Sequence, residues 1–444
     1  MLQIEHNPPL SALLEKQADT IAAREHLDPA FLRQAVGNGT MVILANPSHT
    51  NVMPTVIGQP APVKVNANIG VSPLVNDPSE EIDKLRAAEA AGANAVMDLS
   101  TAGDLAAIRR SMLAATKLPL GTVPLYAVAE KYIAEDKDPS DFSFEELLEE
   151  IHAQAEAGVD FMTLHCGVTQ RAAYLGAETD RTMGIVSRGG SILARWMRRH
   201  KKENPLYTHY DALLDICCKH NVVISLGDGL RPGAGCDAGD AAQWEEVIIL
   251  GELTKKAHTR GVQIMIEGPG HVPMHLVQSQ IQGIKRLTEN APLYVLGPLT
   301  TDTSPGRDHI GAAIGGSLAA YYGADFLCYV TPAEHLTLPD ASDVHEGVLA
   351  SRIAAQTAET SLGRPWALER EKKISEARAA LDWKTMADVS LDPCLVRTRR
   401  EPHETHEECA MCGKFCAVKM LKDQPATEPS HQAGTMPQHC AKHR

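Results

Sequence analysis

Between residues 63 and 330 eight short apolar runs recur: VKVNANIG (63–70), NAVMDLS (94–100), LPLGTVPLY (118–126), DFMTLHCG (160–167), VVISLGDG (222–229), VQIMIEG (262–268), LYVLGP (293–298) and DFLCYV (325–330). Longer stretches of helical pattern separate them, the alternation expected of βα units around a parallel sheet. Eight is the number of strands that closes a (β/α)8 TIM barrel, so the fold class is α/β. A ninth run, MGIVS (183–187), reads as part of a long loop after the fourth strand. An open doubly wound sheet is the alternative, but no G-x-G-x-x-G occupies the first βα turn.

Residues 1–60 combine a helical stretch, SALLEKQADTIAAREHL (11–27), with a proline-rich connector, ANPSHTNVMPTVIGQPAP (45–62), and read as an addition before the barrel at 61–339. Beyond Pro332 the pattern turns helical, and residues 340–420 are expected to form a helical domain ending in a cysteine cluster. The last stretch, 421–444, has few apolar residues and is expected to be a disordered tail. The formal net charge of −14 excludes the basic face of a nucleic-acid binder, so any phosphate is small and locally held. No run is long and apolar enough to span a bilayer, and the first residues lack a secretory pattern, so a cytoplasmic protein is expected. Ten cysteines are too sparse for a disulfide scaffold in 444 residues; Cys166 and Cys328 read as reduced core thiols.

Each strand delivers a polar residue at or beyond its C-terminal end: Asn68, Asp98, Tyr126, His165, Asp228, Glu267, Asp302 and His335. Barrel active sites form on that rim. Two segments suit an anion. Ser187-Arg188-Gly189-Gly190 offers backbone N–H groups, a hydroxyl and the start of a helix, while Asp228-Gly229-Leu230-Arg231 adds a guanidinium and a carboxylate. The plain alternative is a tight turn with a surface ion pair. His271 and His335 follow strands two apart, where they could share a metal or serve as hydrogen-bonding groups.

The spacing Cys409-x2-Cys412-x3-Cys416, with Gly413 inside it, can hold three irons of a [4Fe–4S] cube and leave the fourth open to S-adenosylmethionine. A zinc knuckle completed by His403, His406 or Cys440, or a closed cluster completed by Cys394, fits the same spacing. Two other classes therefore remain open: a zinc-dependent barrel hydrolase with Glu267 as base, and an electron carrier.

These runs, together with SRGGS (187–191), SLGDGLRPG (225–233), EGPGHVPMH (267–275), LGPLTTD (296–302), LCYVTPAEHL (327–336) and CAMCGKFC (409–416), resemble the phosphomethylpyrimidine synthase family. The resemblance covers about residues 64–420. It implies radical S-adenosylmethionine chemistry on 5-aminoimidazole ribotide, a low-potential electron donor, and a homodimer whose cluster domain swings over the barrel. It implies that Asn68, Met97, Tyr126, His165, Ser187, Arg188, Gly189, Asp228, Gly229, Leu230, Arg231, Glu267 and Tyr294 contact the ribotide. His271 and His335 match the family's metal ligands, with zinc the expected ion, and Cys409, Cys412 and Cys416 its cluster ligands.

The resemblance divides at the product, since the family makes either the thiamine pyrimidine or 5-hydroxybenzimidazole, a cobamide precursor. Ala127 stands where the thiamine branch carries Gln, and Arg307 where it carries Tyr; Val71 and Ala102 are smaller departures. Changes to the pocket beside intact phosphate and cluster motifs lead to the expectation of a 5-hydroxybenzimidazole synthase, with the pyrimidine synthase as alternative.

Overall fold

Eight strands of three to six residues close on themselves, and the closure leaves no unpaired edge. The computed structural model describes residues 1–178 and 180–422. Two strands precede the barrel, β1 (Val42–Leu44) and β2 (Thr55–Ile57), paired antiparallel. The barrel strands are β3 (Lys64–Ile69), β4 (Ala95–Asp98), β5 (Leu120–Thr122), β6 (Phe161–Leu164), β7 (Val223–Leu226), β8 (Ile264–Gly268), β9 (Leu293–Leu296) and β10 (Phe326–Cys328). All neighbours are parallel, and β10 returns to β3 with Phe326 opposite Lys64. The eight expected runs are the eight strands, and 183–187 is loop.

The interior is filled by rings. Phe326 lies 4.4 Å from Tyr294 and 6.3 Å from Phe161, centroid to centroid. Gly121 on β5 makes the space: a Cβ there would sit 2.2 Å from the Phe161 ring. Such layers of side chains make the barrel a packed core with its chemistry on one rim.

The opposite end is sealed by the N-terminal segment through two buried aspartates with the same job. Asp160, immediately before β6, accepts from Leu120 N at 2.8 Å, from Asn46 N at 2.8 Å and pairs with His49 at 2.7 Å. Asp325, immediately before β10, accepts from Leu293 N at 2.8 Å, from Gln59 N at 2.7 Å and from Lys285 Nζ at 2.7 Å. Each carboxylate joins the preceding strand to the chain that underlies it. Lys64 at the start of β3 is buried as well, and donates to Glu25 Oε2 at 2.7 Å and Pro62 O at 2.6 Å.

Three sequence boundaries move. Residues 1–60 are part of the compact unit Met1–Ala367 and contain the β1–β2 hairpin besides helices. The expected break at 339/340 falls instead at 367/368, because helix Ala341–Ser361 packs on β3 and on the helices Asp308–Tyr322 and Pro78–Ala91 as a wall of the barrel. The third run ends as a strand at Thr122, and Pro124 opens the helix Pro124–Ala134, so Tyr126 and Ala127 are helical. The expected tail 421–444 lies outside the described residues, apart from the end of helix Ala417–Lys422.

The second unit, from Leu368, is helical: Trp383–Val389, Pro393–Arg400 and short turns lead to the cysteines. The Arg400 guanidinium lies 4.2 Å from the Trp383 ring centroid and donates to Glu408 O at 2.9 Å, while Trp383 Nε1 donates to Glu407 O at 2.8 Å. Those contacts fix the strip of chain just before Cys409.

Removing the Asp160 carboxylate orphans two amides and a buried histidine together. Asp160→Ala is expected to destabilise the barrel by about 3 kcal/mol, measured as a fall in the urea midpoint of the tertiary near-ultraviolet signal.

Candidate active site

At the C-terminal end of the strands lies a cleft of about 510 Å³ lined by Asn68, Met97, Tyr126, His165, Asp228, Arg231, Glu267 and Tyr294, with Leu99, Val123, Thr163 and Cys328 among the rest of its wall. Its mouth is lined by Val71, Arg188, Glu334 and His335. Of the polar residues expected at the strand ends, Asn68, Tyr126, His165, Asp228 and Glu267 line the cleft and His335 its mouth. Asp98 is not one of them: its Oδ1 accepts from Ser100 N at 2.9 Å, so it braces its own turn.

The polar walls are organised by residues behind them. Asn66, one pleat before Asn68, donates to Asn68 Oδ1 and to the Tyr294 hydroxyl, both at 2.7 Å. Glu267 Oε1 accepts from Thr163 at 2.6 Å and Ser225 at 3.0 Å, yet burial still holds its carboxyl above the usual range. Burial pushes Asp228 up to about 8, against the pull of Arg231, whose Nη1 donates to its Oδ1 at 3.1 Å. Burial, with Arg231 nearby, pushes His165 down to about 3, so its ring is neutral. His165 Nδ1 and Asp228 Oδ2 are buried and have no hydrogen-bond partner among the described residues. Unpaired polar atoms in a closed space are costly to keep, and on a cleft wall they mark where a ligand's polar groups can go.

Ser187 caps helix Arg188–His200, its Oγ accepting from Gly190 N at 3.2 Å and lying 3.2 Å from His165 Nε2. The glycines behind it are required by crowding. A Cβ on Gly189 would fall 2.3 Å from the His165 ring, and one on Gly190 would fall 2.3 Å from Gly229 O. Arg188 leans over Tyr126, its guanidinium 4.8 Å from the ring centroid. The helix start, two guanidinium groups and a hydroxyl thus gather along one side, a setting that favours an anion.

The second glycine segment behaves differently from expectation. The N–H groups of Gly229 and Leu230 donate to Glu246, at 2.9 and 2.8 Å, and the Leu230 side chain is buried away from the cleft against Ala172 and Ala242. Glu246 sits on helix Ala241–Thr259, is fully buried, and is pushed up to about 8 by that burial, with Asp228 adding repulsion. Arg181 then ties down the other side, donating to Leu230 O at 2.7 Å and to both Asp240 oxygens. Sequence reasoning passed over Glu246. Its signal was a lone carboxylate on the stripe Ala242, Glu246, Ile249, Leu250 and Leu253, where an apolar residue belongs.

His271 and His335 meet at the rim with ring centroids 5.3 Å apart. Each gives its Nδ1 to a carboxylate, His271 to Asp302 at 2.8 Å and His335 to Asp308 at 3.0 Å. This leaves both Nε2 atoms for one ion, the arrangement by which carboxylates orient metal-bound imidazoles, so the pair fits a divalent metal. Asp308 was not expected.

In the second unit, Gly413 adopts φ 50°, its N–H bonds Cys409 O at 3.1 Å, and the chain turns sharply between the thiols. Backbone N–H groups of Cys412 and Met411 donate to the Cys409 sulfur and hold that thiol below its ordinary range. Cys412 is held up by the hydrogen bond it shares with Cys409. A loop that aims amides at sulfur suits thiolate ligands of a metal cluster.

The sequence matches the family described as the radical SAM ThiC family over residues 9–423. The chain belongs to this family. Among its relatives are phosphomethylpyrimidine synthases of Syntrophus aciditrophicus, 49% identical over 403 residues, and of Methanopyrus kandleri, 48% identical over 406 residues. These alignments cover 90% and 91% of this chain and 94% and 95% of the relatives. A third, of Caldanaerobacter subterraneus subsp. tengcongensis, is 47% identical over 431 residues, covering 96% and 99%. As a radical SAM ThiC protein the chain is an enzyme that uses a [4Fe–4S] cluster and S-adenosylmethionine, which decides among the readings of the cysteine spacing. Among its helices none is long and apolar enough to cross a membrane, within the described residues.

In this radical SAM ThiC chain Ala127 and Arg307 line neither the cleft nor its mouth. Ala127 is buried in the helix Pro124–Ala134, and Arg307 is exposed, with Nη1 3.3 Å from the neighbouring Gly306 O. Of the smaller departures, Val71 borders the mouth. Glu246→Gln replaces one acceptor oxygen by a donor facing an N–H. The amides of Gly229 and Leu230 are then expected to exchange with deuterium about tenfold faster, read by hydrogen-exchange mass spectrometry of that peptide.

Proposed function

We propose that the protein converts 5-aminoimidazole ribotide into hydroxymethylpyrimidine phosphate, the pyrimidine precursor of thiamine. The observation that carries this is the name shared by relatives 47 to 49% identical across nearly the whole chain. The 5-hydroxybenzimidazole reading drew on Ala127 and Arg307, with Val71 and Ala102 as smaller departures; of these Val71 borders the mouth, and the name shared by the relatives weighs more.

In this reading the ribotide phosphate lies against the start of helix Arg188–His200, with Ser187 donating its hydroxyl and Arg188 and Arg231 supplying charge. Gly229 and Leu230 shape the loop and do not donate, because Glu246 takes their N–H groups. Asn68, Glu267 and Tyr294 hold the ribose and base, while Met97, Leu99 and Val123 exclude water from the same wall. His165 stays neutral and offers Nδ1 to the ligand without adding charge. Cys409, Cys412 and Cys416 would hold the cluster, which with S-adenosylmethionine and a low-potential electron donor supplies a 5′-deoxyadenosyl radical. His271 and His335 would hold a divalent ion, with zinc favoured by imidazole donors. A cytoplasmic homodimer completes the reading. It is supported by Ile310, Ile314 and Tyr321, a stripe of half-exposed apolar residues along helix Asp308–Tyr322.

The test is anaerobic reconstitution, incubation with the ribotide, S-adenosylmethionine and a strong reductant, and mass spectrometry of the products. Hydroxymethylpyrimidine phosphate is expected; 5-hydroxybenzimidazole would reverse the assignment.

The acid–base state of the cleft gives a second expectation. Asp228, raised to about 8, is an uncharged acid below that pH and a carboxylate above it, where it repels a phosphate. Ribotide affinity should fall by about tenfold between pH 7 and pH 9, and Asp228→Asn should remove most of that fall in calorimetric titrations. Arg231→Ala should weaken binding by about a hundredfold at pH 7.

A further inference from the structure

On the outer wall, two helices that pack together bring three metal-binding side chains to one place. Helix Phe144–Ala157 leads into β6 and helix Tyr210–His220 leads into β7. His152 and Glu156 sit one turn apart near the end of the first, and His220 is the last residue of the second. One ligating atom from each lies within 4.8 Å of the others. Both helix ends precede strand starts, so the group stands at the N-terminal end of the barrel, opposite the cleft.

We propose that His152, Glu156 and His220 form a second divalent-cation site, of the zinc class, that fastens these two helices together. Two imidazoles and a carboxylate are a donor set that zinc accepts, with water filling the fourth position. Tetrahedral ligands at zinc distances stand about 3.3 Å apart, and His152 Nε2 and Glu156 Oε1 are already 3.4 Å apart. The second observation is His220 Nε2, which is buried and has no hydrogen-bond partner among the described residues. An orphaned imidazole nitrogen is costly on a helix end, and a cation reached from solvent satisfies it. The way in is open, since the side chains of His152 and Glu156 are 41% and 55% exposed. The edge-on approach of the imidazoles, 5.7 Å between centroids, already brings the two rings alongside. Lys219, next in sequence to His220, is the adverse neighbour, a positive charge beside the site that the carboxylate of Glu156 offsets.

The site is tested on the full chain with its cluster reconstituted under anaerobic conditions. Wild type, His152→Ala/His220→Ala and His271→Ala/His335→Ala are dialysed against buffer stripped of other metals and holding about 10 µM free zinc, and bound zinc is counted by mass spectrometry. The expected result is one zinc per chain fewer in the His152/His220 variant than in wild type. The rim variant should retain that zinc, and turnover in the His152/His220 variant should be unchanged. Zinc should raise the melting temperature of wild type by about 2 °C or more, and should do so less in the variant. Should the double variant fail to fold by circular dichroism, Glu156→Gln, at an exposed helix position, is expected to weaken the same zinc at least about tenfold. Equal zinc content in wild type and a folded His152/His220 variant, or no effect of Glu156→Gln where that variant decides, overturns the proposal.

Discussion

A carboxylate buried in a protein must be supplied with donors, and much of this architecture is a record of where they come from. At the closed end, Asp160 and Asp325 each gather a strand amide, an amide of the N-terminal segment and a cation or imidazole. At the open end, Glu246 gathers the two amides of the glycine loop. Asp228 alone of these keeps an oxygen without a partner, and it faces the cleft. The same requirement that is met within the fold at one end of the barrel is thus presented to a ligand at the other.

The strand pattern was readable because a buried parallel strand shows as a short apolar run bounded by glycine or polar residues, and β3, where Lys64, Asn66 and Asn68 alternate with Val65, Ala67 and Ile69, shows the strand period instead. What the runs conceal is the point at which strand becomes helix. Pro124 fits either a strand end or a helix start, so the third run overran into the helix that carries Tyr126. The β1–β2 hairpin, three residues on each side, is too short to declare a period. The helix Ala341–Ser361 looked like the start of a new domain because sequence shows that a helix has an apolar face but not what the face meets.

At the site, type and place separated in the same way. Residues directly at strand ends, such as Asn68, His165 and Glu267, were legible because the barrel fixes where strand ends point. Residues that act from behind were not. Glu246 and Asp308 lie on helices that follow or precede in the chain the groups they hold, and Asn66, though only two residues before Asn68, reaches Tyr294 from across the barrel, so only the folded geometry introduces these contacts. Ala127 and Arg307 show the converse, since proximity in sequence to a site residue says little about the face on which a side chain emerges: the one is buried in its helix and the other is exposed at a helix start.

One close packing has a bearing on how such a protein can change over time. His165, Gly189, Gly190 and Gly229 are stacked with no room for a single added carbon, so three separate segments are locked into one floor. No one of these glycines can be replaced without displacing another segment, and the floor is inherited whole or lost whole. Diversity in what the enzyme accepts has to arise at the lip, at positions such as Val71, Thr101 and Val186, where side chains border open space.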